Sequence, residues 1–368
     1  MSEPEGRLQA PHRRVNQDAV KALARHWRAA GLAALVAVAA VFPLVAGGPL
    51  NILFGTNTLI YVAAVSAWGL FSGYTGYISL GHAVFFGTGA YAVGLLALHQ
   101  HLNGDVIFAT LPLAGLAAAV VAVPFGLIAL RARRHTFVVI TIAVFFIFQL
   151  MAYNFSFTNG TAGVSSAFLN WDPATVNNPF YYAALIIAVA TVALSWQIRG
   201  SAFGLQLLAI RDDEDRARGL GVRAMRVKLT AFVISGFVTG IVGGLWFYLI
   251  GQALPSTVFD PAFDLTVALM AFLGGFGTLA GPVLGALILE PAQQQLTLTF
   301  PNGYLSEILL GGLFLLVILF LPRGLIPSAR EWLTAGQARL ARRRAARQPP
   351  PGEAAAQQAA AASRGGAA

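Results

Sequence analysis

Cysteine is absent from the 368 residues, so the chain holds no disulfide and no thiolate metal site. Charge is scarce too: 11% of residues are Asp, Glu, Lys or Arg, against roughly 25% in soluble globular domains. No G-x-x-x-x-G-K-[ST] sequence occurs, which excludes a P-loop and leaves any ATP hydrolysis to another chain. Neither a zinc-ligand spacing nor a G-x-S-x-G nucleophile is present, so an intramembrane hydrolase has no support. No catalytic residue, metal or cofactor is expected in the chain itself.

What the sequence does have is apolar length. Hydrophobic residues make up 57% of it, in runs at 29–45, 52–71, 78–98, 106–130, 136–153, 179–197, 229–250, 264–290 and 304–321. Each is long enough to span a bilayer as an α-helix, and none alternates as a transmembrane β-strand would. The expected fold class is therefore all-α, a polytopic membrane bundle of about 8 to 10 spans. Residues 29–45 read as a retained first span; a cleaved signal is the alternative, although the 28 residues before the run are long for a signal-peptide n-region and no clean A-x-A site follows it.

Basic residues set the expected topology. All 24 lie in four segments: 1–28, 131–134, 199–228 and 323–364. By the positive-inside rule these face the cytoplasm. The connections 99–105, 154–178, 251–263 and 291–303 contain no Lys or Arg and face outward. The expected division is a cytoplasmic basic segment at 1–28, a transmembrane domain at 29–321 containing the cytoplasmic loop 199–228, and a cytoplasmic tail at 322–368, disordered from about 336. The basic N-terminal segment is expected to lie on anionic membrane lipid, and no nucleic-acid partner is expected.

Parity adds a constraint. If 264–290 crossed once, the basic tail would lie outside. The run must instead enter and return, as a re-entrant hairpin or two helices broken at Gly274, Gly275 and Gly277; a single span with an unusual tail orientation is the alternative. Broken backbone at membrane depth needs cover from protein or from a water-filled cavity, which places LGGFGTLAGPVLGA, 273–286, against a translocation path. Gly236, Gly240 and Gly244, and likewise Gly277, Gly281 and Gly285, recur every four residues. That spacing suits close helix packing more than substrate contact. Ionisable groups in the spans are few: His82 stands alone, and Asp264 and Glu290 fall at the ends of their run. An ion-coupled carrier would need a mid-membrane relay, so His82 reads as a hydrogen-bonded packing residue.

The loop 199–228 carries two structured pieces. Phe203, Leu207 and Ile210 share one helical face, suited to the membrane surface or to another subunit. A second helix is expected to start with Asp212 as N-cap and Asp213, Glu214 and Asp215 in its first turn, closing at Gly219 or Gly221. Docking on a partner competes here with a plain solvated connector.

GYTGYISLGHAVFFGTGAY (73–91), AIRDDEDRARGLGVRAMRVKLTAF (209–232) and LGGFGTLAGPVLGA resemble, in this order and spacing, the LivM-type permeases of high-affinity branched-chain amino acid ABC importers. The resemblance covers about residues 30–330. It implies a subunit of the bacterial inner membrane, multi-pass with both termini cytoplasmic. Its implied partners are a second related permease, two cytoplasmic ATPases that hold ATP and magnesium, and a periplasmic substrate-binding protein. It assigns Arg211, Asp212, Asp213, Glu214, Ala217, Arg218, Leu220, Gly221 and Lys228 to an ATPase-coupling loop. Gly73, Gly76, Ser79, Leu80, Gly81 and His82 match one path or packing motif, and Gly275, Gly277, Thr278, Gly281, Pro282 and Gly285 another. Asp215 and Arg216 depart from the apolar residue and alanine usual there. The implied cargo is Leu, Ile or Val; urea and short amides are carried by relatives, and an ion-coupled secondary carrier is the alternative of another class.

Overall fold

The structure, a computed structural model, describes residues 36–45, 48–100, 106–165 and 177–300, and separate positions between 305 and 332. The segment 1–28, residues 166–176 of the connection 154–178, and the tail from 336 lie outside the described residues.

Helices dominate. They are α1 (Val36–Val45), α2 (Pro49–Trp68, continued by a π-turn Gly69–Gly73), α3 (Ala83–Gln100), α4 (Val106–Ala109), α5 (Leu111–Ala129), α6 (Arg134–Asn154) and α7 (Asn177–Gly200). Then follow α8 (Ala202–Asp212), α9 (Glu214–Gly219), α10 (Ala224–Ile250), α11 (Pro255–Val258), α12 (Pro261–Gly274) and α13 (Gly281–Thr299). Seven helical segments among the described residues are long and apolar enough to cross a membrane. Proline stands in the first turn of α2, α5, α12 and α13, where its missing N–H removes no helix hydrogen bond. A short antiparallel pair, Val164–Ser165 with Gln252–Ala253, ties the segment after α6 to the end of α10.

α10 is the central helix, packed on α5, α3 and α2. A Cβ on Gly240 would stand 2.4 Å from the Ala118 Cβ, so the four-residue glycine spacing does serve helix contact. Around it Phe71, Phe85, Phe125, Phe137 and Phe232 form a buried aromatic core. The outer faces stay apolar and exposed, as at Val139, Phe146, Ile147 and Leu150 of α6, which suits lipid or another membrane helix.

Two apolar runs are broken: the one at 78–98, read as a single span, and the one at 264–290, where parity called for a hairpin. The run at 78–98 becomes helical only at Ala83; before it, Gly76–Gly81 is non-helical backbone covered by protein. The run at 264–290 is a helical hairpin, α12 and α13, with Gly274 as the last helical residue and the break at Gly275–Ala280. α13 continues to Thr299, through most of the connection expected at 291–303. Gly277 therefore lies in the break, and only Gly281 and Gly285 of its series are helical. Asp264 stands in the first turn of α12, as its place at the end of the run implied, whereas Glu290 falls in the interior of α13; both are buried. Hydropathy missed this because an apolar turn between two apolar helices leaves no polar gap.

Candidate functional site

The three sequence motifs converge at one end of the bundle. Arg211, at the end of α8, donates through Nη1 to the Gly73 carbonyl (3.1 Å), and its guanidinium lies over the Phe276 ring (5.4 Å). Arg199, at the end of α7, donates to the Gly277 carbonyl (2.8 Å) and lies over Tyr74 (5.5 Å). The π-turn after α2 and the α12–α13 break are thus fastened to α7 and α8 by two arginines. Gly277 has φ +74°, and a Cβ there would stand 1.9 Å from Arg211 Nη1, so only glycine fits. Gly76, at φ +73°, turns the chain beside the Arg211 side chain in the same way. Arg134 of α6 donates to the Ile210 (3.1 Å) and Arg211 carbonyls, satisfying the C-terminal end of α8.

The break is self-supporting. Thr278 Oγ1 donates to the Gly275 carbonyl (2.8 Å) and accepts from Gly281 N–H (3.0 Å). Pro282 packs on Gly69, and Gly285 lets α13 approach the Met270 carbonyl. Gly324 packs on Gly275, so the chain beyond α13 has returned to this end.

α9 has two unlike faces. Inward, Glu214 accepts from Lys228 Nζ (2.9 Å), from the Tyr77 hydroxyl and from Arg218. Lys228, 1% exposed, also lies over the Tyr77 ring (4.2 Å), and Ala217 is buried beneath the helix. Burial pushes the Glu214 carboxyl up, but the hydrogen bonds from Tyr77 and Lys228 and the charges of Lys228 and Arg218 outweigh it, leaving the group below the usual carboxylate range. Burial and the Glu214 bond both push the Tyr77 hydroxyl up. Outward stand Asp212, Asp215, Arg216, Arg218, Gly219, Leu220 and Gly221, with Leu220 86% exposed. An open groove lined by Arg218, Val222, Arg223 and Arg226 adjoins them.

The N-cap of α9 is Asp213, one residue later than expected, because Asp212 completes α8. Asp213 Oδ1 accepts from Asp215 and Arg216 N–H, both at 3.0 Å, and Oδ2 pairs with Arg216 Nε (3.0 Å). Those bonds, the backbone one from Arg216 first, hold its carboxyl below the usual range. Gly221 at φ +87° closes the helix: Val222 N–H reaches the Ala217 carbonyl and Gly221 N–H the Arg218 carbonyl, the two bonds of a Schellman end. Leu207 and Ile210 of α8 are fully buried against this chain's own bundle, so that face is not free for a partner.

His82 lies deeper. Its Nδ1 bonds Ser79 Oγ (3.0 Å) and its Nε2 bonds Ser235 Oγ (2.7 Å), while Ser235 donates onward to the Ala67 carbonyl (2.7 Å). Leu80 N–H donates to Thr141 Oγ1 (3.1 Å), the Ser79 carbonyl accepts from the Trp68 indole (2.8 Å), and Gly81 fits between Phe125 and the Thr141 carbonyl. Both imidazole nitrogens are engaged and the ring is 1% exposed, which is how a packing histidine sits. Asp264 Oδ1 accepts from Ala83 N–H (3.1 Å), capping the start of α3 inside the protein.

The sequence reading missed Arg199, Tyr74, Tyr77, Arg134 and Phe276 as members of this cluster. The aromatic residues directly after Gly73, Gly76 and Gly275 were the available signal.

The family described as the branched-chain amino acid transport system / permease component matches residues 48–318. The chain belongs to that family. The permease is 30% identical over 340 aligned residues to LivM of Salmonella typhimurium strain LT2, a high-affinity branched-chain amino acid transport system permease protein, covering 84% of this chain and 77% of that one. LivM of Escherichia coli K12 is 30% identical over 332 residues, 82% and 76% of the two chains. A shorter stretch, 136 residues covering 36% of the permease, is 28% identical to the L-arabinose ABC transporter permease AraH of Azospirillum brasilense. No solved structure matches the permease.

Proposed function

We propose that this chain is one of two permease subunits of an ABC importer that carries branched-chain amino acids across the bacterial inner membrane. The observation that carries the reading is the double-faced α9: its inner face is locked by Glu214, Lys228 and Tyr77, and its outer face presents Leu220 within a rim of arginines. An ATPase subunit seats on that outer face. Closure of the ATPases on ATP displaces α8 and α9, and Arg199 and Arg211 pass the displacement to the π-turn after α2 and to the α12–α13 break. These elements then open and close a path shared with the second permease.

The basic end is cytoplasmic by the positive-inside rule, and the contact of Gly324 with Gly275 agrees with a hairpin that returns outward before the last crossing. A periplasmic binding protein delivers the substrate at the opposite end. ATP and magnesium belong to the partner subunits. His82, with both nitrogens engaged, is no proton relay, which weighs against an ion-coupled carrier.

Reconstitution tests the reading. Proteoliposomes holding this chain, its partner permease and the ATPases should take up leucine only with ATP and binding protein. Leu220→Asp and Arg216→Glu should each weaken ATPase association tenfold or more. Unchanged association in both variants would remove α9 as the docking element, and uptake driven by a proton gradient without ATPases would overturn the ABC assignment.

A further inference from the structure

At mid-depth a second group of polar atoms is not satisfied. From Gly281 to Glu290, α13 climbs about 14 Å at 1.5 Å per residue, roughly half the hydrocarbon thickness. There Glu290, 5% exposed, accepts from Gln294 Nε2 through Oε1 (2.8 Å), while its Oε2 has no partner. The Gln294 amide is oriented by that bond and by a longer one to the Phe54 carbonyl (3.4 Å), which leaves its own Oε1 without a donor. Gln293 Oε1 is the third oxygen of this group lacking a donor. Residues 290, 293 and 294 share one helix face. Beside them Pro291, inside the helix, has no N–H to give the Leu287 carbonyl.

These are all acceptors, and each is costly to leave bare once buried. Protonating Glu290 would turn Oε2 into a donor for one amide oxygen and still leave the other bare. His82 makes a contrast, with both nitrogens engaged; Asp264 spends Oδ1 on the start of α3 and its Oδ2 has no partner, but among the described residues it stands without a neighbouring cluster of bare acceptors. A primary ammonium brings three N–H donors and a charge that matches the carboxylate.

We propose that Glu290, Gln293 and Gln294 form a mid-membrane site for the α-ammonium group of the transported amino acid. The inference rests on the importer reading above and adds to it a point of substrate contact in this chain. An ammonium desolvated on its way through the bundle meets replacement acceptors here, and the apolar helices around it suit an aliphatic side chain.

The test uses the reconstituted importer with leucine as the probe, and reads leucine carried per ATP hydrolysed. Glu290→Gln keeps the shape and removes the charge; Gln293→Met removes a neutral acceptor at similar volume. Glu290→Gln is expected to lower the ratio at least tenfold and Gln293→Met about threefold, with subunit assembly and ATPase turnover kept and partial recovery in Glu290→Asp. Wild-type ratios in both Glu290→Gln and Gln293→Met would make the cluster structural only and overturn the proposal. Uptake by the wild type that requires sodium would assign the acceptors to an inorganic cation and overturn it as well. A wild-type importer that carries no branched-chain amino acid at all would instead sink the functional reading on which this one rests.

Discussion

Asp213 and Glu214 are adjacent acids on one short helix, yet they face opposite ways. Glu214 is 14% exposed and tied to a lysine that is 1% exposed; Asp213 is 41% exposed and pairs with an arginine that is 86% exposed. The first pair anchors α9 to the bundle, because a charge held out of water must keep its partner. The second caps the helix in solvent, where an ion pair contributes little and the backbone bonds contribute more. Neighbouring positions in a charged loop therefore carry different duties, and substitutions should separate them.

The largest effect is expected from Lys228→Met. It takes the buried partner from the Glu214 carboxylate, leaving it Tyr77 and the half-exposed Arg218, and should cost up to about 3–5 kcal/mol, seen as lower thermal stability of the detergent-solubilised chain. Adding Glu214→Gln should recover much of the loss, since removing both charges leaves no unpaired ion. Gly277→Ala comes next. Its methyl meets Arg211 at a positive φ, so it should disorder the break and lower transport several-fold without unfolding the bundle. Asp213→Ala should lower the melting temperature slightly through the lost cap, and Asp213→Ser almost not at all, both read from the same melting curves. The smallest effect is on pH dependence. Both carboxyls are held below their ordinary range, so their contribution is complete above about pH 4–5 and is lost as pH falls through the lowered folded values. Acid should loosen α9 first, and Glu214→Gln should remove the Glu214 share of that dependence.

Much of this was legible from residue order alone. Apolar run lengths gave the helical bundle, parity gave the hairpin at 264–290, and the acid-rich start at 212–215 gave α9. The cap was misplaced by one residue because α8 continues through Asp212, a tertiary outcome that local propensity does not decide. The convergence of Arg199 and Arg211 on Gly277 and Gly73 was not legible, since it joins residues far apart in sequence through backbone carbonyls, which have no side-chain signature. Glu290 was misread for a related reason: the end of an apolar run looked like the end of a span, but the helix runs on through Gln293 and Gln294.

The proposed mechanism turns on Arg199 and Arg211, which join the loop 199–228 to the glycine-rich break. It is tested most directly by leucine carried per ATP hydrolysed in the reconstituted importer bearing Arg199→Ala and Arg211→Ala. The account predicts normal assembly, continued ATP hydrolysis and a ratio at least tenfold below wild type. A wild-type ratio in that double variant would contradict it.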